Sequence, residues 1–397
     1  MAIIKSADFT IELPSTDNYD AEDIGLMLVD DPSEGKRYHV EFAETLTPQL
    51  QTGDVSWASF PAKQELNMPQ QDWRKGMGAI IARGDNHQQY LAAINADASG
   101  ISKIIPGPLV QQATGATLDG TPIQIFEASG VPYCVAGEKI YSITGGTISE
   151  VWSGCSTTIT HVAVFDKVYI AIGGTNKFYY SSDMSTFTEA SDSDSKADYF
   201  VTFDYYLGKT INPNKFSYSI DPSAANANWS VADTIGDASH NFTGGAISSE
   251  GELYFGKTNG LWNIDTAGIV HSFYNAPYVT TTNYNPIKEW QGSIFYPAGN
   301  GGFYHYNITT GQSLISPALY ARDARGYTGS IMACAGDSEW LYVVTTPLSG
   351  EDAKLLKVRL ENVDGEVDWR WHGALAQIPT DNTRDMFVHN PSSGNPI

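Results

Sequence analysis

The densest cluster of residues able to do chemistry is the run EASDSDSKAD, Glu189 to Asp198, which places Asp192, Asp194 and Asp198 in one polar stretch. Alternating carboxylates supply the hard oxygen donors that Ca²⁺ prefers, although the run lacks the Gly and terminal Glu of an EF-hand loop. A solvated loop is the competing reading. The eight histidines, at 39, 87, 161, 240, 271, 305, 372 and 389, stand singly at long spacings and read as surface or interface groups. Cys134, Cys155 and Cys334 are odd in number and form no CxxC pair, so they read as buried thiols packed as small hydrophobes, with a Cys134–Cys155 bridge as the alternative. There is no GxSxG elbow, HExxH helix, Walker loop or GxGxxG opening a helix. Ca²⁺ is therefore the one cofactor the residues leave open.

Sugar chemistry is the next candidate. Trp57, Trp73, Trp229 and Trp290 sit in loop-like contexts where an indole face can stack on a sugar ring, and packing between strands is the competing use of each. The segment YYSSDMSTFTEA, Tyr179 to Ala190, keeps Ser181, Asp183, Thr186 and Phe187 in the order of the Ser-x-Asp-x-Gly-x-Thr-Trp box of sialidase-like propellers, but loses the Gly and one position. Arg322, Arg325, Arg359, Arg370 and Arg384 all fall in the last quarter of the chain, whereas the arginine triad of such enzymes draws on several blades. A carbohydrate-active enzyme, or a secreted glycan-binding protein, is thus the alternative to a non-enzymatic role.

The elements that must position these groups are strands. One phrase, a turn with Gly, Asp or Asn followed by alternating apolar residues around Tyr or Phe, recurs as EKIYSI, DKVYIAI, DYYLGK, GELYFGK, GSIFYPA and EWLYVV, with weaker copies QQYLAAI and DMFVHN at either end. Between Tyr90, Tyr141, Tyr169, Tyr206, Tyr254, Tyr296, Tyr342 and Val388 the steps are 51, 28, 37, 48, 42, 46 and 46 residues. Repeats of this length, with period-two alternation and Gly or Asp-Gly turns, specify the blades of an all-β propeller, each too small to bury its own faces. The count favours seven blades, with six and eight as alternatives, the Tyr90 region sharing a blade with Phe387. Helix content should be very low.

Residues 1–75 differ: short alternating stretches are interrupted by Pro14, Pro32, Pro48, Pro61 and Pro69, which reads as an extended N-terminal arm used in docking or assembly. Residues 76–397 form the propeller. With 23 Lys and Arg against 45 Asp and Glu the formal charge is −22, a field that repels nucleic-acid phosphates. The N-terminus lacks an apolar stretch of signal-peptide length, and no segment is long and apolar enough for a membrane-spanning helix. Neither nucleic acid nor membrane insertion is expected.

The segment Asp72 to Val110 carries Trp73, Arg74, Lys75 and Gly76, then a short strand, a small turn and the exit Pro106, Gly107, Pro108, before the blades begin. In that layout the chain resembles virion β-propeller proteins of tailed bacteriophages. The resemblance implies a structural or adhesion component at the tail, tail tip or particle surface, assembled in the host cytoplasm. Its implied partners are other virion structural proteins and a host surface glycan or receptor. It implies no catalytic residue.

Overall fold

The computed structural model describes residues 3–5, 10–12, 27–29, 39–41, 92–100, 103–108, 110–275, 286–298, 302–307, 309–316, 331–345, 352–363, 365–378 and 385–389. Among them there is no helix, and so none long and apolar enough to cross a membrane.

The chain is a β-propeller. Six antiparallel sheets follow one another in chain order, each starting from an inner strand: Pro122–Ala128, His161–Val164, Tyr199–Phe203, Phe242–Ile247, Lys288–Trp290 and Ile331–Gly336. We number these blades 1 to 6. Each meanders outward to its fourth strand, and blade 1 gains a fifth, Thr114–Gly115, which pairs in parallel with Thr147–Trp152. Gly-rich turns close the hairpins: Gly145 and Gly146 both adopt positive φ, which a side chain would resist, and join Lys139–Thr144 to Thr147–Trp152.

Middle strands such as Val168–Ala171, Leu253–Lys257 and Ser293–Pro297 are buried at every residue. That pattern follows from stacking: a middle strand is covered on one face by the preceding blade and on the other by the next. The core is accordingly a series of interfaces. Val201 and Phe216 of blade 3 meet Phe242, Phe255 and Trp262 of blade 4, while Tyr254 and Leu261 of blade 4 meet Ile294 and Tyr296 of blade 5.

The Tyr repeats fall on second strands in blades 2 to 6, at Tyr169, Tyr206, Tyr254, Tyr296 and Tyr342. In blade 1 the phase differs. Tyr141 lies on the third strand, and the second-strand equivalent is Tyr133 in Val131–Ala136. Both hairpins of that blade carry the same alternation around Tyr, so the more regular-looking EKIYSI mimics the repeat.

Six blades are described where seven were favoured. Residues 385–389 run beside the inner strand of blade 1: Asp385 accepts the Ile125 backbone N–H at 3.0 Å, and His389 Nδ1 lies 2.9 Å from Glu127 Oε2. The segment upstream of Val110 packs on the outermost strand of blade 6, Glu366–Ile378, through Ala92–Ile94 and the hairpin Ala96–Gly100/Lys103–Pro106. Among the described residues no strand pairing joins it to Phe387. Ile3–Lys5 and Thr10–Glu12 complete a three-stranded sheet with Ala92–Ile94, and Met27–Val29 pairs with His39–Glu41. The described parts of the arm are thus paired strands.

Candidate functional site

A cavity of about 450 Å³ is lined by Gln124 of blade 1, His161 of blade 2, Tyr199 of blade 3, Thr243 to Gly245 of blade 4, Lys288 of blade 5 and Asp385. Five inner strands meet around it, so it is the central channel. Its polar groups connect neighbouring blades. The Gln124 carboxamide donates to the Val162 carbonyl at 2.8 Å and accepts the Val162 N–H at 2.7 Å, completing between two inner strands the pairing their splay prevents. His161 Nδ1 accepts the Phe200 N–H at 3.2 Å. Asn212 Oδ1, at the end of the second strand of blade 3, accepts the Phe242 N–H at 2.9 Å. Asp385 does the same for Ile125, so one acceptor side chain from each of four successive positions satisfies the inner-strand amide of the next blade.

These bonds decide the protonation states. With Nδ1 accepting, His161 is the Nε2–H tautomer, and burial, reinforced by the positive charge of Lys288, lowers its pKa to about 3. Lys288 Nζ lies 3.6 Å from Asp385 Oδ1. The channel therefore presents a neutral imidazole and a closed ion pair.

The acidic run lies elsewhere, and two of its carboxylates bind backbone amides. Asp198 accepts the backbone N–H groups of Gly174 at 3.0 Å and Asn212 at 2.7 Å, and Asp192 accepts that of Asp194 at 2.8 Å. Among the described residues no three His, Cys, Asp or Glu side chains converge as a metal site. A protein cation lies against the main chain of this loop. Lys209, 2% exposed, lays its ammonium 3.8 Å from the Trp229 ring centre and donates to the Asp194 carbonyl. Desolvation lowers the Lys209 pKa to about 8, against the pull of Asp194 and Asp192. Blade 4 repeats the device: Lys257, fully buried, donates to the Ile235 and Asp237 carbonyls at 2.8 and 2.6 Å and lies over Phe242 and Trp262. Lys209 and Lys257 close the phrases DYYLGK and GELYFGK, so the repeated Gly-Lys was the available signal.

The tryptophans separate. Trp290 is 7% exposed, bonds through Nε1 to the Asp337 carbonyl at 2.7 Å and fills the space beside Gly336, whose Cβ would stand 2.1 Å from its ring. It is a core residue, and no sugar reaches it. Trp229 carries the Lys209 ammonium on its ring and packs edge-on against Phe178. Trp57 and Trp73 lie outside the described residues. Arg359 stacks on Trp340 at 3.8 Å, a structural use of one candidate arginine.

The Asp183 box is a turn. Asp183 Oδ1 accepts the N–H groups of Ser185 and Thr186, each at 2.8 Å, and these bonds hold its carboxyl well below the usual range. Phe187 then stacks on Trp152 of blade 1 with ring centres 4.4 Å apart. The three cysteines are free and buried, so the Cys134–Cys155 bridge is not formed, and desolvation raises Cys134 to about 11 and both Cys155 and Cys334 to about 12.

Comparison with known families and with curated proteins finds no match. Among solved structures the chain is similar to the extracellular domain of a putative hybrid two-component system from B. thetaiotaomicron, with TM-score 0.50 and 12% identity over 70% of this chain and 37% of that one. It is similar also to virginiamycin B lyase from Staphylococcus aureus, with TM-score 0.47 and 15% identity over 64% and 84% of the two chains. For YCF48 from Cyanidioschyzon merolae the values are 0.47 and 10% over 70% and 91%. At 12% identity the likeness to the first of these bears on the β-propeller fold alone.

Proposed function

We propose that the chain is a non-enzymatic structural component of a tailed-bacteriophage particle, a propeller attached at the tail or particle surface through residues 1–75 and touching a host surface glycan. The observation that supports a structural role is the use of the channel groups: Gln124, His161 and Asp385 each bind a backbone amide of the next blade. Groups held in this way maintain the ring and are poorly placed to exchange protons with a substrate. The glycan contact falls to Trp57 and Trp73, since Trp229 and Trp290 are engaged in packing.

Mass spectrometry and antibody labelling of purified particles test this reading. The chain is expected at fixed stoichiometry with tail proteins, and particles that lack it would overturn the proposal. A glycan panel applied to the full chain and to a Trp57→Ala/Trp73→Ala variant tests the contact. Glycan hydrolysis by the unmodified protein would favour the sialidase-like alternative.

A further inference from the structure

At the rim between blades 3 and 4 three turns gather, one joining Tyr199–Phe203 to Tyr206–Ile211, one at Ser249 to Gly251 and one at Asp265 to Gly268. They enclose an open cavity of about 650 Å³. Its floor is aromatic. Phe203 and Tyr206 are stacked with ring centres 5.4 Å apart, and Tyr218 meets them edge-on at 5.6 and 4.9 Å. All three rings are half-buried, so part of each faces the cavity. Its walls carry Asp204, Asp233, Glu250 and Asp265, and among the described residues no Lys, Arg or His lines it.

Elsewhere in this ring aromatic faces are paired with protein cations: Lys167 over Tyr180, Lys209 over Trp229, Lys257 over Trp262, and Lys357 with Arg359 over Trp340. In three of these cases a carboxylate or main-chain carbonyl completes the cation's shell, as Asp97 does for Lys357. The rim groove has the rings and the carboxylates, and among the described residues no cation is placed over Phe203, Tyr206 or Tyr218. Asp265 is engaged with its own turn and with His271 at 2.8 Å, which leaves the half-buried Asp233 and the exposed Asp204 and Glu250, the latter two outermost, as the charges facing an incoming group. Beside the groove Tyr205 is 83% and Val231 92% exposed, an apolar shoulder next to an acidic pocket.

We propose that this groove docks a partner protein segment through a lysine or arginine side chain, seated on Phe203, Tyr206 and Tyr218 and paired with Asp204 and Glu250, with apolar neighbours of that side chain resting on Tyr205 and Val231. A cation desolvated over aromatic rings gains most where carboxylates neutralise it, and a basic anchor flanked by apolar contacts is a common centre of protein interfaces. This site does not depend on the virion reading, because any partner with that chemistry fits it.

The test uses the full chain and two fluorescent peptides, Ala-Leu-Leu-Arg-Leu-Ala and the same peptide with Gln for Arg, followed by anisotropy. The Arg peptide is expected to bind about tenfold more tightly than the Gln peptide, a gap that narrows with salt. Asp204→Asn/Glu250→Gln, which changes two exposed side chains, should remove most of that gap while leaving the thermal midpoint unchanged. Tyr205→Ala should weaken both peptides alike. Equal binding of the two peptides, no binding of either, or a gap that survives Asp204→Asn/Glu250→Gln would overturn the proposal. So would binding of a neutral methyl glycoside in the groove without binding of the Arg peptide. Since the isolated chain is used, each result stands whether or not the protein is found in particles.

Discussion

Asp385 and Ile125, 260 positions apart, are joined by a 3.0 Å hydrogen bond from the Ile125 backbone N–H to the Asp385 carboxylate. This contact repeats across the ring what Gln124 does for Val162 and His161 for Phe200. Asp385→Ala leaves that inner-strand amide without its acceptor and is expected to cost about 2 kcal/mol. Asp385→Asn, which keeps an oxygen in place, should cost less. Urea unfolding gives the two values, and amide exchange at Ile125 should accelerate in the alanine variant alone.

Burial of His161 makes stability fall in acid. Its pKa is lowered from 6.5 to about 3, so below pH 6.5 the unfolded chain takes up a proton that the folded one refuses. Between about pH 6 and pH 3 this residue should contribute a loss approaching 1.4 kcal/mol per pH unit. His161→Gln, which keeps an acceptor near Phe200, should flatten the pH profile of the unfolding free energy by that slope.

Lys209 acts with the same sign at alkaline pH. Its pKa falls from 10.5 to about 8 in the fold, so between those values the unfolded chain binds the extra proton and stability gains from rising pH. The full effect is on the order of 3 kcal/mol. Titrating cysteines and tyrosines pull the other way in this range, so the quantity to measure is the unfolding free energy of the unmodified chain minus that of Lys209→Met, which should rise from pH 8 to pH 10.5.

Lys357 and Asp97 form a largely buried pair at 2.5 Å that fastens the upstream hairpin to blade 6. Burial by itself would raise Asp97, but the hydrogen bond and charge of Lys357, with the bonds from Ser99, hold its carboxyl below the ordinary value. Asp97→Ala strands a buried ammonium and is expected to cost about 3 kcal/mol, whereas Asp97→Ala/Lys357→Met should recover much of it. Thermal denaturation of the two variants decides the point.

Gly107→Ala places a methyl group 1.7 Å from the Leu375 carbonyl oxygen, which belongs to the backbone of blade 6 and cannot rotate away. A loss of about 3 kcal/mol or more is expected, together with protease sensitivity near Gly107. Gly145→Ala is the comparison, since no atom lies within 4 Å of its added carbon and its cost comes from positive φ alone.

The propeller was legible because period-two alternation around Tyr169, Tyr206, Tyr254, Tyr296 and Tyr342 is a local property imposed by stacking. Blade 1 was misphased because its second and third strands both satisfy the same pattern around Tyr133 and Tyr141. Seam contacts such as Asp385 with Ile125 join residues far apart in the chain, and no local pattern marks them. The partners of the acidic run were hidden for a related reason: Lys209 and the amides of Gly174 and Asn212 arrive from other strands. Trp290 looked available only because the small residue that admits it, Gly336, lies in the next blade.

Lys209 and Lys257 also change how the protein can be handled. Their ammonium groups are enclosed by carbonyls and rings, so amine-directed reagents should pass over them in the intact ring, attaching to Lys209 once blades 2 and 3 separate and to Lys257 once blades 3 and 4 separate. The two lysines are therefore built-in reporters of blade separation, one set in each of two neighbouring blades.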